Sequence, residues 1–436
     1  MSGQVAFELL LLLPLTIPAF SAWSAEVKPT KNEQEQAQKD LVEPPWSDYV
    51  RSRDGFEWKL ESKTAEDNVT VFKIKMTSQV WQGAPQTHGV NVFVPQKPAA
   101  PDAAFICVGG YGQPPLKMAK ESGMTFVAVF GIFQGCFGVG PYEAIGAYAS
   151  EQYLKTGDPI WIPHAAAVKS LVRAMDAVQA MSTKELGTPI KRFMLGGWSK
   201  MGMVSWFTAV ADSRVIGIVP IGADMVNLSV QPHSLIAAQK GLNTAGASTL
   251  DSKSEVGKRF LMLTDPYSYR NKLTAAKLIV SGTNDPLYEL DTVNRYWDGI
   301  PGLKYHLYLD NANHQDEPVS PKTIRATEAF FKALATGKEL PKIESKVVDA
   351  NGKITLSITT SVPARSARLC FAADSRNWAE AKWSNQPMTA LEGGKKFTGE
   401  ISKPTTGQPA VYAELDFELD GLSYSLTSQM HLVKPR

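Results

Sequence analysis

The sequence predicts an α/β protein in which a mostly parallel sheet carries helices on both faces, followed by a smaller all-β module. Short apolar runs of strand length alternate with helical patterns through most of the chain. Several of these runs are continuously apolar, which is typical of parallel strands buried on both faces, and they end directly in glycine-rich or polar loops. After Gly337 the helical patterns stop, and short strands separated by turns take their place.

The N-terminal segment, residues 1–24, is predicted to be a signal peptide. A leucine run is followed by small residues, and the apolar stretch is too short and too interrupted by proline to span a membrane. Against this prediction, Glu8 precedes the leucines and no lysine or arginine does, so a buried leucine-rich helix is the alternative. Residues 25–66 are predicted to be a linker and lead-in. We therefore expect a secreted or periplasmic protein without stable membrane insertion.

Residues 67–340 are predicted to form the α/β domain, with a cap inserted at about residues 225–261, where strand character is lost. Its predicted strands are 69–76, 89–94, 103–108, 126–130, 215–221, 277–282 and 304–309, and its helices 142–155, 161–181 and 321–334. Residues 341–436 are predicted to form a β-sandwich-like domain with strands at 343–348, 353–359, 367–372 and 409–418.

One turn in the α/β domain carries the function prediction. An apolar run at 193–197 ends in two glycines, Ser199 follows, and a helical pattern starts at once. A serine at the apex of a strand–turn–helix unit is the geometry of a nucleophile elbow, and the Lys200 N–H at the helix start can receive an oxyanion. The usual Gly-x-Ser-x-Gly pattern is not fully kept, because Met201 replaces its second glycine and Gly202 comes one residue later. A glycine turn with a helix-capping serine is the alternative for this stretch alone.

An acid and a histidine follow two later strands. Asp285 comes just after the strand 277–282, and His314 lies on the loop after the strand 304–309. We expect both to meet Ser199 across one edge of the sheet, where the histidine would act as the base and the acid would orient it. The order serine, acid, histidine is that of α/β-hydrolases.

Two assignments in this site stay open. Asp224 also follows a strand directly and is the second candidate for the acid. The glycine-rich loop after the strand 103–108 is where an α/β-hydrolase supplies its other oxyanion N–H, which here would come from Gly110 or Tyr111. An ordinary glycine turn is the alternative for that loop.

No cofactor, metal or nucleic acid is predicted. The glycine spacing fits no phosphate loop or dinucleotide fingerprint, and histidines and cysteines lack zinc-site spacing. The net charge of +2 gives no electrostatic reason to expect nucleic acid. Three cysteines do not make a disulfide framework, and Cys136 has no basic residue near it in sequence to activate it.

Several segments resemble the PhoPQ-activated pathogenicity-related family. They are residues 76–81, 161–179, 197–202, 212–215, 219–221, 265–270 and 311–314, and the resemblance extends from about residue 48 to the C-terminus. The family is an α/β-hydrolase-like group of exported proteins in which a Ser-Lys-x-Gly turn replaces the second elbow glycine. The resemblance therefore implies an exported serine hydrolase with a C-terminal β domain. The sequence departs from the family pattern at 133–140 and after Asp285, both near the expected substrate pocket.

The sequence thus predicts an exported serine hydrolase that cleaves an ester or an amide bond of a small organic molecule or peptide. Both bonds use the same catalytic residues, so the residues alone leave the bond type open. The alternative is an exported binding or signalling protein that keeps a hydrolase scaffold without its chemistry.

Overall fold

The computed structural model describes residues 43–109, 113–132, 136–139, 142–231 and 254–435, with side chains at all of these except 142 and 143. The predicted signal peptide, most of the predicted cap, and the candidate oxyanion residues Gly110 and Tyr111 lie outside the described residues. Among the described helices, none combines the length and the hydrophobicity that crossing a membrane requires.

Most described strands belong to one sheet of fourteen strands. It begins with three antiparallel strands, β1 (Glu57–Glu66), β2 (Val69–Trp81) and β3 (Ala84–Pro95). Its parallel centre consists of β4 (Ala103–Val108), β5 (Thr125–Phe130), β6 (Arg192–Trp198), β7 (Val215–Ile221), β8 (Ala276–Gly282) and β9 (Lys304–Leu309). In space these nine strands follow the order β1-β2-β3-β5-β4-β6-β7-β8-β9.

Helices cover both faces of the sheet. The described helices are α1 (Ser47–Arg51), α2 (Pro115–Ser122), α3 (Tyr142–Thr156), α4 (Pro163–Leu186), α5 (Lys200–Ala211), α6 (Glu255–Thr264) and α7 (Pro321–Thr336). Strand β4 shows how the faces divide, because Ile106 joins the core under α4 and α5, whereas Phe105 joins the core under α2 and α7. The predicted α/β fold class is confirmed.

Helices α4 and α7 begin with proline and end at glycine, which are favoured residues for the start and the end of a helix. Helix α4 has Pro163 in its first turn, where the missing N–H costs no hydrogen bond, and ends at Gly187 in the left-handed conformation. Helix α7 repeats the arrangement with Pro321 and Gly337. The apolar period predicted these helices at 161–181 and 321–334, and the structure extends α4 by five residues to Leu186.

The C-terminal strands form two antiparallel layers. One layer is a separate four-stranded sheet in the order β10-β11-β15-β14, made of β10 (Ile343–Ala350), β11 (Lys353–Thr360), β15 (Lys396–Ser402) and β14 (Thr389–Leu391). The other continues the main sheet, because β17 (Leu422–Thr427) pairs with β9 through Thr427 and His306. It also contains β12 (Ser366–Ala372), β13 (Trp383–Pro387), β16 (Ala410–Leu419) and β18 (His431–Leu432).

The C-terminal layers share an apolar core with the α/β region. Leu356 and Leu369 of the C-terminal strands are fully buried in one cluster with Leu307 of β9 and Phe330 of α7. Burial of such side chains is the main favourable term in folding. The last strands therefore contribute to the layer that supports the carboxyl end of β9.

Candidate active site

Ser199 lies at the turn between β6 and α5. Its φ of 54° and ψ of −124° are rare for a residue with a side chain and indicate local strain. The turn is held from both sides, since the Ser199 N–H donates to the Ile221 carbonyl at 2.8 Å and its carbonyl accepts from Met203 N–H at 3.1 Å. This is the sharp strand-to-helix turn that the sequence predicts.

The glycines around Ser199 let the strand and the helix approach closely. A Cβ on Gly197 would lie 2.7 Å from the Met201 carbonyl, and one on Gly202 would lie 2.4 Å from the Ala223 Cβ. The Met201 side chain packs against the end of β4. A Cβ on Gly109 would lie 2.8 Å from the Met201 Cγ. The shifted glycine pattern therefore satisfies the same steric requirement as the usual one.

Two hydrogen bonds connect the side chains of Ser199, His314 and Asp285. The three residues follow the carboxyl ends of β6, β9 and β8. The His314 Nε2 is 3.0 Å from the Ser199 Oγ, and its Nδ1 is 2.7 Å from the Asp285 Oδ2. Because a carboxylate accepts hydrogen bonds, Asp285 favours the tautomer with the proton on Nδ1. Nε2 is then left to accept the Ser199 hydroxyl proton.

Backbone contacts fix the acid and the histidine. The Trp198 Nε1–H donates to the His314 carbonyl at 2.9 Å, and the two rings lie 5.0 Å apart between centroids. The second Asp285 carboxyl oxygen accepts from the Leu287 N–H at 2.8 Å. Asp285 is 2% exposed, so its hydrogen bond to the imidazole is shielded from water.

Asp224, the other candidate acid, is engaged elsewhere. Its Oδ1 accepts a short hydrogen bond from the Tyr296 hydroxyl, whereas the position facing His314 Nδ1 is occupied by Asp285. Burial is the largest influence on Asp224 and raises its pKa to about 7, partly opposed by the Tyr296 hydrogen bond. Asp224 is thus a buried carboxyl that is hydrogen-bonded to Tyr296 and not to His314.

We expect Asp224 to make the protein less stable as pH rises. An unfolded Asp loses its proton near pH 4, whereas Asp224 keeps its proton in the folded state up to about pH 7. Between these values the folded state binds more protons, so the free energy of unfolding falls with increasing pH. Asp224→Asn should flatten this part of the profile, as measured by denaturant unfolding at a series of pH values.

The exposed Asp298 provides the control for this measurement. Asp298→Asn removes a carboxyl of the same type from a solvated position and tests whether flattening of the slope requires the loss of a buried carboxyl. Equal slopes for the parent and Asp224→Asn would contradict the prediction.

The predicted oxyanion donors are only partly described. Lys200 is the first residue of α5, where backbone N–H groups face outward from the helix start. Gly109, at the end of β4, has a φ of 77° and lies beside Met201, so the chain leaves β4 close to the serine turn.

A loop of the C-terminal layers contacts both loops that carry the acid and the histidine. The Trp378 Nε1–H donates to the Asp285 carbonyl at 2.8 Å, and Asn284 Nδ2 donates to the Trp378 carbonyl at 3.0 Å. On the histidine loop, Asn311 exchanges two hydrogen bonds with the Trp383 backbone, at 3.1 and 2.9 Å. These bonds join the segment between β12 and β13, and the start of β13 itself, to the candidate site.

We expect Trp378→Phe to slow the reaction of Ser199 with a fluorophosphonate by about fivefold. The substitution keeps an aromatic ring and removes the donor to the Asp285 carbonyl, and a neutral hydrogen bond contributes about 1 kcal/mol. The rate of covalent labelling would measure the effect, and thermal unfolding would show that the fold is kept.

Trp383→Phe is the matched control for Trp378→Phe. The Trp383 Nε1–H is buried and has no hydrogen-bond partner among the described residues, so this change removes no donor in use. If both substitutions slowed labelling equally, the effect would belong to ring packing and not to the bond to Asp285.

One group of described side chains has the spacing of a metal site. Asp285, His314 and Glu317 each present a ligand atom within 4.8 Å of the others. Both ring nitrogens of His314 already have hydrogen-bonding partners, Ser199 and Asp285, so we assign the group to hydrogen bonding. Cys136 is buried against the Gln86 amide, and burial raises the pKa of its thiol, which disfavours the reactive thiolate.

Comparison with known proteins places the chain in a family. The model of the family described as "PhoPQ-activated pathogenicity-related protein" matches residues 46–128 and 142–378. The chain belongs to this family. The matched ranges contain Ser199, Asp285 and His314, and they end at Trp378. The resemblance seen in the sequence is thereby confirmed.

Two other similarities accompany the family match. The autocrine proliferation repressor protein A of Dictyostelium discoideum is 24% identical over an alignment 433 residues long. The alignment covers 86% of this chain and 86% of that protein. The acetyl xylan esterase from Paenibacillus sp. R4 has a TM-score of 0.51 at 14% identity, and the match covers 70% of this chain and 99% of that chain. The latter similarity shows that this member of the family has the α/β-hydrolase fold.

Proposed function

We propose that this chain is an exported serine hydrolase that cleaves an ester or an amide bond, with Ser199 as the nucleophile. The observation that carries the proposal is the continuous series Asp285–His314–Ser199, with hydrogen-bond distances of 2.7 and 3.0 Å. The strained backbone of Ser199 supports it, because such strain is characteristic of nucleophile elbows.

In the proposed reaction the Ser199 oxygen attacks the substrate carbonyl while His314 Nε2 takes the hydroxyl proton. His314 then returns this proton to the leaving alcohol or amine as the bond to the carbonyl carbon breaks, which leaves an acyl group on Ser199. Water, activated by the same nitrogen, releases the acid and restores the hydroxyl. Asp285 keeps the imidazole in the productive tautomer and stabilises its cationic form.

The negative charge that develops on the carbonyl oxygen needs N–H donors. We assign one to Lys200 and the other to Gly110 or Tyr111, which follow β4. Because donors fixed at this position stabilise the transition state more than the substrate, they would lower the barrier by several kcal/mol, or roughly 3 kcal/mol for each donor.

Export and substrate size are also part of the proposal. The leucine run and the small residues that follow it within residues 1–24 support secretion or transfer to the periplasm. A small organic ester or a peptide is the expected substrate class. An activated acetyl ester and a peptide anilide should be assayed side by side, because the same residues serve both bonds.

A second candidate is an exported signalling protein that keeps the fold without turnover. The name of the Dictyostelium discoideum relative, an autocrine proliferation repressor, favours it. Incubation with a fluorophosphonate, followed by mass spectrometry of the peptide that contains Ser199, separates the two candidates. Covalent label on Ser199 supports the hydrolase, whereas a folded protein that stays unlabelled supports the signalling protein.

A further inference from the structure

Glu317 lies in the loop that follows His314 and is fully buried. Its Oε1 accepts the Gly282 N–H at 2.6 Å, at the end of β8. The carboxyl is therefore attached to the strand from which the chain leads to Asp285, three residues further on.

Two glycines leave the space that this carboxyl occupies. A Cβ on Gly222, which has a φ of 49° at the end of β7, would lie 1.9 Å from the Glu317 Oε2. A Cβ on Gly282 would lie 3.1 Å from the Oε1. The carboxyl thus occupies a slot between the ends of β7 and β8 that no larger residue at 222 would allow.

The second oxygen of this carboxyl has no hydrogen-bond partner among the described residues. Its distance to the His314 Nδ1 is 3.6 Å, but that nitrogen is engaged by Asp285 at 2.7 Å. Neither lysine nor arginine forms an ion pair with Glu317 within the described part of the chain. The two buried carboxyl groups therefore share one site, and among the described residues that form ion pairs with Glu317 only His314 can become a cation.

We propose that Glu317 is a positioning residue that stays protonated and donates its proton to the Asp285 carboxylate. The pair then carries one negative charge, which faces the imidazole. The Asp285 and Glu317 carboxyl groups each have an oxygen within 4.8 Å of the other, so two ionised carboxylates would repel each other, and burial would give neither of them compensating water. A donated proton satisfies the otherwise unpaired oxygen and fixes the orientation of the Asp285 carboxylate.

The electrostatic surroundings agree with this geometry. Burial, and after it the charge of Asp285, raises the pKa of Glu317 well above its ordinary range, while the Gly282 N–H opposes the shift. The other titratable groups facing Glu317 are His314 on its own loop, Asp224 after β7 and Tyr288 on the loop after Asp285. Of these groups, only His314 becomes a cation.

The proton can be tested without any activity. We expect the infrared spectrum of the full-length protein at neutral pH to contain the carbonyl stretch of a buried, protonated carboxyl that is missing in Glu317→Gln. The difference between parent and variant isolates Glu317 from other buried acids. A difference spectrum that shows loss of an ionised carboxylate would overturn the proposal, whether or not the protein proves to be a hydrolase.

The positioning role rests on the proposed function and is tested by fluorophosphonate labelling. Glu317→Leu removes the donor and should slow labelling of Ser199 by about tenfold to a hundredfold, since a buried hydrogen bond to a charged group is lost. Glu317→Gln can donate to Asp285 and still accept from Gly282, so it should recover most of the rate. Thermal unfolding of both variants shows whether they are folded.

The outcomes separate the two proposals. If Glu317→Gln and Glu317→Leu, both folded, slowed labelling equally, a donated proton would not be the function of Glu317. If the parent were not labelled at all, the hydrolase proposal would fail, while the infrared comparison would still decide the protonation of Glu317.

Discussion

Ser199→Ala is expected to abolish fluorophosphonate labelling and to lower kcat by about 10⁶-fold, the loss seen when a serine nucleophile is removed from a protease triad. Ser199 is the only predicted nucleophile, and its hydroxyl is the group that His314 Nε2 meets at 3.0 Å. Steady-state hydrolysis of an activated ester and mass spectrometry of the labelled peptide would measure the two losses.

The fold should survive this substitution, because alanine at 199 keeps both backbone hydrogen bonds of the turn. Ser205→Ala, on the helix α5 that follows the turn, is the matched control, since the Ser205 hydroxyl donates to the Gly202 carbonyl at 2.6 Å within the helix itself. It should lower stability while labelling of Ser199 persists. Activity of folded Ser199→Ala within about tenfold of the parent would remove Ser199 from the mechanism.

The convergence of the three candidate residues could be predicted from the sequence because it depends on topology. Ser199, Asp285 and His314 each follow a buried apolar run, and parallel strands put all their carboxyl ends at one edge of the sheet. This holds whatever the spatial order of the strands. The fold class follows from the same alternation of strands and helices, which depends on local periodicity.

The choice between the two acids could not be predicted in the same way. Asp224 and Asp285 both follow strands directly, so their position in the pattern is equivalent. The difference comes from Tyr296, which is distant in sequence and takes the Asp224 carboxyl as its acceptor. Only the three-dimensional path of the loops decides which carboxyl meets His314.

The partners of the acid also depend on contacts between remote segments. Glu317 is three residues after His314, but its burial needs the glycines at 222 and 282. Trp378 is further away still, on a C-terminal loop whose contact with Asp285 depends on how β17 continues the main sheet. Strand β1 shows a different limit, because it is largely exposed and only Trp58 and Leu60 keep the apolar alternation by which strands are predicted.

Asp285→Asn is expected to lower kcat by about 10⁴-fold, whereas Asp224→Asn should lower it far less. The amide of asparagine can donate to Nδ1 and thereby favour the tautomer in which Nε2 carries the proton, so the histidine no longer accepts the Ser199 proton. Glu317 is not expected to replace the lost carboxylate, because its Oε2 lies 3.6 Å from Nδ1, beyond hydrogen-bonding distance. Steady-state kinetics of both variants, with circular dichroism to establish their folding, would measure the ranking. A larger loss in Asp224→Asn, with both proteins folded, would assign the acid to the end of β7 and leave Asp285 as a turn residue before Pro286.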